Sequence, residues 1–323
     1  NKELEKLPKT VNGIKIQNIS TGKCLNLGDL LGNQFKITIK NAETNPNKIK
    51  KITEQSQYPN YFGSQRFSTK RSMNHLVGKN LLKQNYKKAA KIYLGTYSKT
   101  TRKKEAKARK NFWKNENPEK ALKEFPENLW YEKRMLKSLT KNQPNKWKKS
   151  FKKLPKRILT TLLHSYQSYI FNKALAKRIE KNIGLNQVQT GDILLAIEQK
   201  NKYKVPERRK TILVTENLKE KAQTKVDKGE AKITGPIPGQ KMRKPEGKMG
   251  KIEKEVTELK QSDFKNRPYG IKLRGGRREL SINHQNLEYR KKDENLIFKF
   301  FLPKGNYATV FLREFLGNNP LKY

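Results

Sequence analysis

A nine-residue aromatic loop holds residue types that could bind a nucleotide base. Residues 59–67 read PNYFGSQRF. A loop with two aromatic rings, a side-chain amide and a guanidinium can stack a base, hydrogen-bond its edge and clamp a phosphate. The alternative is a turn that merely contains aromatic residues, since proline, asparagine and glycine all favour turns. For Arg66 the alternative is an internal ion pair.

Patterns typical of other catalytic sites are missing from the sequence. It contains no GxxxxGK[ST] phosphate-binding loop, no HExxH pair, no CxxC pair and no GxSxG serine motif. His75, His164 and His284 lie far apart in the sequence and have no second ligand at metal spacing. Each is therefore interpreted as a surface or core histidine. We expect no metal site, and neither a kinase, a nucleotidase nor a metalloenzyme.

The charge of the chain is strongly positive and predicts a polyanionic partner. The formal net charge at pH 7 is +45, from 74 basic and 29 acidic residues. A chain so highly charged repels itself, so the phosphates of transfer or ribosomal RNA are the expected partners, and binding should weaken steeply with salt. The alternative is that lysine is only the preferred surface residue of this proteome. Such a preference would also enrich glutamate, which favours the RNA interpretation.

Length, apolar content and the single cysteine bound the class of protein. The 323 residues suffice for two domains with sizeable cores, and 33% hydrophobic residues are compatible with folding. Cys24 has no partner for an internal disulfide, which predicts a reducing, cytoplasmic setting. No apolar run approaches the roughly 20 residues that a membrane span needs, so we expect no membrane partner.

Apolar periodicity divides the chain into elements of predicted type. Strands are expected at 14–19, at 35–40, within 185–197 after a turn, at 277–282 and at 296–301. Helices are expected at 74–94, at 158–179, near 252–259 within an otherwise loop-rich stretch at 219–262, and at 309–315 with Thr309 as N-terminal cap. The order of sheet, long helical middle and sheet predicts one α+β domain that a second domain interrupts.

Two segments of the helical middle are rich in basic residues. Residues 99–110 hold seven basic residues and one glutamate, and residues 141–157 hold eight basic residues and no acidic one. In the second segment cations alternate with Trp147 and Phe151, a pattern that can contact both phosphates and unstacked bases. The alternative is a solvated insertion. Candidates for contacts with an RNA backbone are Lys148, Lys149, Lys152 and Lys153, together with Arg277 and Arg278 of a basic turn at 274–278.

Four motifs in a fixed order resemble a known family. They are PNYFGSQRF at 59–67, HSYQSYIFN at 164–172, ITGPIPG at 233–239, and LPKGNYAT at 302–309 followed by LRE at 312–314. Together they resemble the TruD family of tRNA pseudouridine synthases, whose members carry close versions of all four. The resemblance runs from about residue 27 to the C-terminus.

The resemblance implies a fold and an activity. The fold class is α+β, with a catalytic domain built on a mixed or antiparallel sheet at 1–68 and 268–323. A largely helical TRUD insertion domain at 69–267 interrupts it. The reaction isomerises a uridine, in the family usually one in the D-arm of tRNA, to pseudouridine. It uses an aspartate nucleophile without cofactor or metal, and a target inside folded RNA must be flipped out of its stack.

The resemblance also implies three substrate-binding residues. By motif, Asn60 corresponds to the family's loop asparagine, which helps to hold the active site and the nucleotide. Phe62 corresponds to the phenylalanine that is placed to stack on the base. Arg66 belongs to the family's QRF, where it would serve an RNA phosphate or the structure of the loop.

The family's catalytic aspartate has no counterpart in these motifs. It lies in a segment resembling AGxKDxxAxTxQ, upstream of a landmark LGxLxGNxF that here reads LGDLLGNQF at 27–35. Residues 1–26 contain no similar segment. Asp29 lies inside the landmark and Asp192 in the helical middle, so neither matches. We therefore expect no catalytic residue in this chain and a nucleophile outside it.

Three explanations of this difference stay open. The sequence is an incomplete record, a separate N-terminal chain completes a split enzyme, or the chain is a non-catalytic RNA-binding relative. Loss of N-terminal strands would leave an exposed sheet edge, a state prone to aggregation. A more distant alternative is a basic ribosome-associated structural protein. Phosphate binding alone would not require Asn60 and Phe62, which argues against it.

Overall fold

Helices and antiparallel strands share the part of the chain that the computed structural model describes, residues 10–11, 13–15, 22, 24, 26, 29–41, 49–50, 53–54, 58–282 and 284–316. Its strands are β1 (Thr10–Val11), β2 (Ile14–Lys15), β3 (Gly32–Ile39), β4 (Tyr58–Pro59), β5 (Ile193–Lys200), β6 (Tyr203–Leu213), β7 (Ala231–Ile237), β8 (Gly276–Glu279), β9 (Ser281–Ile282), β10 (Gln285–Lys292) and β11 (Asn295–Pro303). Its helices are α1 (Ser64–Phe67), α2 (Asn74–Leu82), α3 (Tyr86–Gly95), α4 (Lys103–Asn115), α5 (Pro118–Glu124), α6 (Trp130–Leu139), α7 (Lys146–Phe151), α8 (Lys156–Glu180), α9 (Lys219–Asp227), α10 (Gly247–Val256) and α11 (Ala308–Leu316). Short 3-10 helices lie at Glu216–Leu218, Gln261–Asn266 and Pro268–Gly270.

A three-stranded antiparallel sheet combines one strand from early in the sequence with two strands from late in it. Its order is β10-β11-β3, so β11 lies in the centre. Alternate residues of β11 face the core, among them Phe298 and Phe300, and Phe300 pairs with Phe35 of β3. Helix α11 covers this face, where the ring of Phe311 lies 4.8 Å from that of Phe300. Burial of each such ring stabilises the fold by about 1.5–3 kcal/mol. The sheet and α11 together enclose a separate hydrophobic core.

The longest helix, α8, organises the helical middle. It runs over 25 residues and confirms the helix that was predicted at 158–179. Its apolar face packs against α2, where Gly78 lies so close that an added Cβ would come within 2.1 Å of the carbonyl oxygen of Leu162. A glycine is therefore needed at this crossing. Buried residues of α2 to α8 and of α10 form the largest of the described cores.

The single helix predicted at 74–94 is wrong, because two helices occupy this stretch. α2 ends at Leu82, and Gln84 adopts a left-handed conformation with φ of 58°. The side chain of Asn85 then accepts a hydrogen bond from the main-chain N–H of Lys88 and begins α3. A non-glycine residue with positive φ cannot continue a right-handed helix, so the chain turns although its apolar period persists.

A four-stranded antiparallel sheet follows the helical middle, in the order β6-β5-β7-β8. Strand β7 and helix α9 lie in the stretch that was predicted to hold loops and one helix, so that prediction is incomplete. Gly235 and Pro236 lie within β7, and these residue types weaken the signal of a strand. After β8, the buried Leu280 leads into β9, which pairs with β4. One short segment therefore connects the four-stranded sheet to the aromatic loop.

Several further predictions can be compared with the elements. The strands at 35–40 and 296–301 and the α+β fold class are confirmed. Thr309 lies inside α11, so the expected cap at that residue is wrong. Of the strand predicted at 14–19, residues 16–19 lie outside the described residues. Over the described ranges, no helix is both long and apolar enough to cross a membrane.

Candidate functional site

Strand pairing and the hydrogen bonds of Asn60 fix the start of the aromatic loop. Tyr58 and Pro59 pair with Ile282 and Ser281 of β9. Asn60 follows and is completely buried. Its main-chain N–H donates to the carbonyl of Leu280 at 2.8 Å, and its Nδ2 donates to the carbonyl of Glu279 at 3.0 Å. Because a buried amide needs such partners, Asn60 locks the loop onto the chain between β8 and β9.

Arg278 connects this loop to the loop that follows β11. Its Nη2 donates to Oδ1 of Asn60 at 2.6 Å, and its Nη1 donates to the carbonyl of Gly305 at 2.7 Å. Only 5% of the side chain surface of this arginine is exposed. Hydrogen bonds that involve a charged group are about twice as strong as neutral ones, so three separate segments are held in one geometry.

The ring of Phe62 lies among cations and other rings. The guanidinium carbons of Arg278 and Arg66 lie 4.1 Å and 5.4 Å from its centroid, within cation–π distance. Phe171 and Tyr307 meet the ring in T-shaped geometry, with centroids 5.4 Å and 6.0 Å away. The ring remains half-buried, so it has a rigid setting and an accessible part.

Asn172 on α8 holds the main chain at Phe62. Its Oδ1 accepts from the N–H of Phe62 at 2.8 Å, and its Nδ2 donates to the carbonyl of Phe62 at 3.0 Å. A second residue of this motif also contacts the loop, because Oγ of Ser165 donates to the carbonyl of Arg66 at 2.7 Å. Reasoning from the sequence gave no role to Asn172 or Ser165. The signal was the motif at 164–172, which was noted only as part of the resemblance.

A cleft of about 400 Å³ opens at Phe62, a size within the range of ligand sites, and we call it the Phe62 cleft. Five of its lining side chains are cationic, and none of those that the structure describes is acidic. It can therefore hold a flat ring together with a phosphate. The cleft is lined by Phe62, Arg66, His164, Gln167, Ser168, Ile237, Lys272, Arg274, Gly275, Arg277, Arg278, Gly305 and Tyr307.

The side chain of His164 lines the Phe62 cleft in its neutral form. Burial, and then the positive charge of Arg66, lower the pKa of His164 below its usual value of 6.5. The imidazole is therefore neutral at pH 7. Arg66 forms no ion pair with a described carboxylate, and its Nε has no hydrogen-bond partner among the described residues. Its guanidinium thus keeps donors for a ligand.

Arg277 and Arg278 lie in the wall of the cleft, at the start of the stretch that was predicted as a strand at 277–282. They belong to strand β8 and are 8% and 5% exposed. Arg277 forms a two-pronged ion pair with Glu253, at 2.7 and 2.9 Å, and its Nη2 also donates to the carbonyl of Thr234. These guanidinium groups hold protein segments together and shape the cleft, and their contact with an RNA backbone stays a prediction.

The lysine-rich segment is only partly what the sequence suggested. Lys148, Lys149, Lys152 and Lys153 are all exposed, on α7 and directly after it. They do not line the Phe62 cleft. Phe151 is completely buried in the helical core and cannot contact a base, so the predicted alternation of accessible cations and rings is wrong at this residue. Trp147 packs half-buried against the same core.

All five aspartates of the sequence lie among the described residues, and none of them lines the Phe62 cleft. Asp192 is completely buried and accepts from Nη1 and Nη2 of Arg178 at 2.9 and 3.1 Å. Asp263 accepts from the N–H of Lys260 at a helix start. Within the described ranges, no three histidine, cysteine or acidic side chains come together as metal ligands.

Comparison with known proteins shows to which family the chain is similar. The family model for tRNA pseudouridine synthase D (TruD) matches residues 1–315, so the match begins ahead of residue 27, where the resemblance by motif began. Proteins named as tRNA pseudouridine synthase D in Pyrococcus furiosus and Thermococcus sibiricus are 41% and 42% identical. The alignments cover 95% and 96% of this chain and 75% and 74% of those proteins.

A crystal structure of a protein under the same name supports the fold. The structure of the Methanosarcina mazei protein superposes with a TM-score of 0.85 at 31% sequence identity, over the whole of this chain and 77% of that one. At this identity and coverage, both the sequence and the fold are shared. The resemblance noted from the motifs is confirmed, and this chain belongs to the tRNA pseudouridine synthase D family.

Proposed function

We propose that this protein isomerises a uridine of tRNA to pseudouridine, and that the uridine, in the D-arm, is flipped into the Phe62 cleft. The observation that carries the proposal is the half-buried ring of Phe62 in a cationic cleft of about 400 Å³. An extruded base needs a flat surface to replace its lost stacking, and its phosphates need nearby cations. The relatives named as tRNA pseudouridine synthase D favour tRNA as the substrate.

In this proposal, the residues of the cleft bind and orient the nucleotide. Phe62 stacks on the base, and Arg66 donates to a phosphate of the flipped nucleotide. Asn60 and Arg278 position Phe62, because the hydrogen bond between them fixes the loop that carries its ring. The reaction breaks the bond between the ribose and the base, rotates the base and rejoins it through carbon, so the base must be held after it is detached.

The nucleophilic aspartate of this reaction comes from outside the 323 residues. The position of the five aspartates supports this, since each described one lies away from the cleft lining and Asp192 is consumed by a buried ion pair. The aspartate then belongs either to another part of the same protein or to a separate chain. Alternatively, the protein binds RNA without catalysis, which the first test below distinguishes.

We further propose that residues 69–267 form the insertion domain and lie along the RNA, between catalytic segments at 1–68 and 268–323. The exposed Lys148, Lys149, Lys152 and Lys153 would then contact the backbone of tRNA. Four exposed cations on one short segment favour phosphate contacts, which are insensitive to sequence. A cytoplasmic location agrees with a tRNA substrate and remains a prediction.

The test is to map pseudouridines in tRNA from cells that carry the gene and from cells that lack it. We expect one D-arm uridine to lose its modification when the gene is deleted, and to regain it when the gene is restored. Unchanged modification at every tRNA position would overturn the proposed reaction. Sequencing the DNA upstream of the codon for Asn1 then locates the nucleophile, since an in-frame segment resembling AGxKDxxAxTxQ would place it in the same protein.

A further inference from the structure

A second basic groove lies in the helical middle and shares no lining residue with the Phe62 cleft. It is about 770 Å³ in volume and is formed by α2, α3 and α4. A polyanion is the natural complement of such a surface. The side chains that carry its chemistry are Lys79, Lys83, Lys87, Lys88, Lys91 and Trp113.

Carboxylates pair with some of the lysines that line this groove. Glu116 accepts from Lys91 at 2.6 Å and pairs with Lys87 at 3.2 Å. Lys79 forms an ion pair with Glu258. Lys83 and Lys88 are exposed and form no ion pair with the carboxylates that the structure describes. Among the described residues, the groove therefore has an excess of positive charge.

Trp113 supplies a flat apolar surface in the same groove. The residue is 43% exposed, although tryptophan is the largest side chain and gains most from burial. Its ring is pressed against Gly95, where an added Cβ would come within 2.9 Å of a ring carbon. Nζ of Lys91 lies 5.2 Å from the ring centroid. The indole is thus held in place from one side and remains accessible from another.

The start of α3, next to the groove, contacts the lysine-rich segment. Tyr86 is the first residue of α3, directly before Lys87 and Lys88, and Nζ of Lys148 lies 5.7 Å from its ring. Tyr86 also meets Tyr269, whose hydroxyl donates to the carbonyl of Lys148. These contacts pack the lysine-rich segment against the first residue of α3.

We propose that this groove binds a single-stranded segment of RNA, with one base stacked on Trp113 and backbone phosphates on Lys83 and Lys88. Stacking on an indole requires a base that is free of its own helix, which excludes continuous duplex. An acidic peptide could pair with the lysines but would leave the indole without a flat partner. The identity of the bound RNA as tRNA rests on the proposed function, whereas the groove is a separate site from the Phe62 cleft.

The experiment measures the fluorescence of Trp113 as RNA is added. The substitutions W130F and W147F leave Trp113 as the single indole, and a single-stranded twelve-uridine RNA is titrated against this protein. We expect quenching of the indole at low salt. In this background K83Q/K88Q should weaken binding about tenfold. It should also reduce the slope of log K against log salt by about 1.4, since each phosphate contact on a single strand contributes about 0.7.

A matched control removes the same charge elsewhere. Lys221 and Lys228, on and next to α9, are exposed and lie outside the groove. K221Q/K228Q should leave both affinity and salt slope within about twofold of the parent. Circular dichroism confirms that each variant is folded, which the exposure of all four lysines favours.

Three results would overturn the proposal. They are a lack of quenching by the RNA, an equal loss of affinity in K83Q/K88Q and the control, or quenching of the same strength by an oligoglutamate peptide. The readout is binding, so it remains valid whichever way the mapping of pseudouridines turns out. Failure of the groove and failure of the proposed reaction are therefore separate results.

Discussion

Asn172 holds Phe62 through both of its main-chain polar groups, across 110 residues of sequence. The amide accepts from the N–H and donates to the carbonyl of the same residue, as a neighbouring strand would. This pair ties the aromatic loop to α8, the longest helix of the described chain. The position of the Phe62 ring is therefore set by α8 as well as by the pairing of β4 with β9.

Removal of this amide should affect catalysis more than affinity. Asn172→Ala leaves the N–H and the carbonyl of Phe62 without their partner, which costs about 1–3 kcal/mol of unfolding free energy. We expect pseudouridine formation by the full-length gene product to fall at least about tenfold, because a displaced ring costs catalysis far more than binding. The dissociation constant for tRNA should stay within about twofold.

The control for this variant is Asn111→Ala, which removes a half-buried amide that donates to Glu124 at 3.0 Å in the helical middle. Both variants are followed by urea denaturation, by filter binding and by product formation. Equal catalytic losses in the two would show that Asn172 acts only through general stability.

Phe62 should matter for product formation more than for RNA binding. Stacking on one aromatic ring contributes about 1–3 kcal/mol per base, and only the flipped base uses this ring. Phe62→Ala should therefore reduce product formation by roughly 10- to 100-fold, with a change in tRNA affinity below about threefold. Phe62→Tyr keeps the ring and should retain most activity. A parallel loss of binding and product formation would contradict a role in holding the base.

The exposed lysines near α7 should govern the salt dependence of binding. Reversal of the charge at Lys148, Lys149, Lys152 and Lys153 should weaken tRNA binding and flatten its salt slope by about 0.7–0.9 for each phosphate contact that is lost. The matched control reverses Lys221, Lys228, Lys248 and Lys251, which are exposed elsewhere. Affinity is measured from about 50 to 300 mM salt. An unchanged slope would remove the four lysines from the path of the RNA.

The buried pair of Arg178 and Asp192 should be a major contributor to stability. Both side chains are 0% exposed, so removal of one partner leaves an unpaired charge in the interior. Asp192→Ala should lower the unfolding free energy by about 3–5 kcal/mol. Glu180→Gln removes a half-exposed partner of Lys177 and should cost less than about 1 kcal/mol. Denaturation of both variants at pH 7 gives the comparison.

His284 should make the fold sensitive to mild acid. Burial, and then the charge of Lys232, lower the pKa of His284 from 6.5 to about 4, and its ring lies between Tyr58 and Phe311. An unfolded chain therefore binds more protons between these pH values. The stability contribution is complete above pH 6.5 and is lost as the pH falls towards 4, by at most about 3 kcal/mol.

His284→Phe keeps a ring between the same neighbours and removes the titration. Unfolding free energies of the parent and the variant are compared at pH 7.5, 6 and 5. We expect the variant to gain relative to the parent as the pH falls. A difference that is constant over this range would show that the pKa of His284 is the same in the folded and the unfolded chain.

Local periodicity predicted the elements that bury one face continuously. Alternate residues of β11 lie in one core, and α8 presents one apolar face along its length, so both were located within a few residues. The break after Leu82 could not be predicted, because nothing in the types of Gln84 and Asn85 requires a positive φ. β7 was missed because its place between β5 and β8 offsets the low strand preference of Gly235 and Pro236.

The sequence by itself determined the charge, the residue types of the aromatic loop and, through the order of four motifs, the family. Tertiary structure alone decided what surrounds those residues. It placed Arg278 on Asn60, Asn172 on Phe62, and Glu253 on Arg277. These contacts join segments far apart in sequence, and they depend on how sheets and helices pack. The pattern of neighbouring residues predicts single helices and strands, and it does not predict how they pack together.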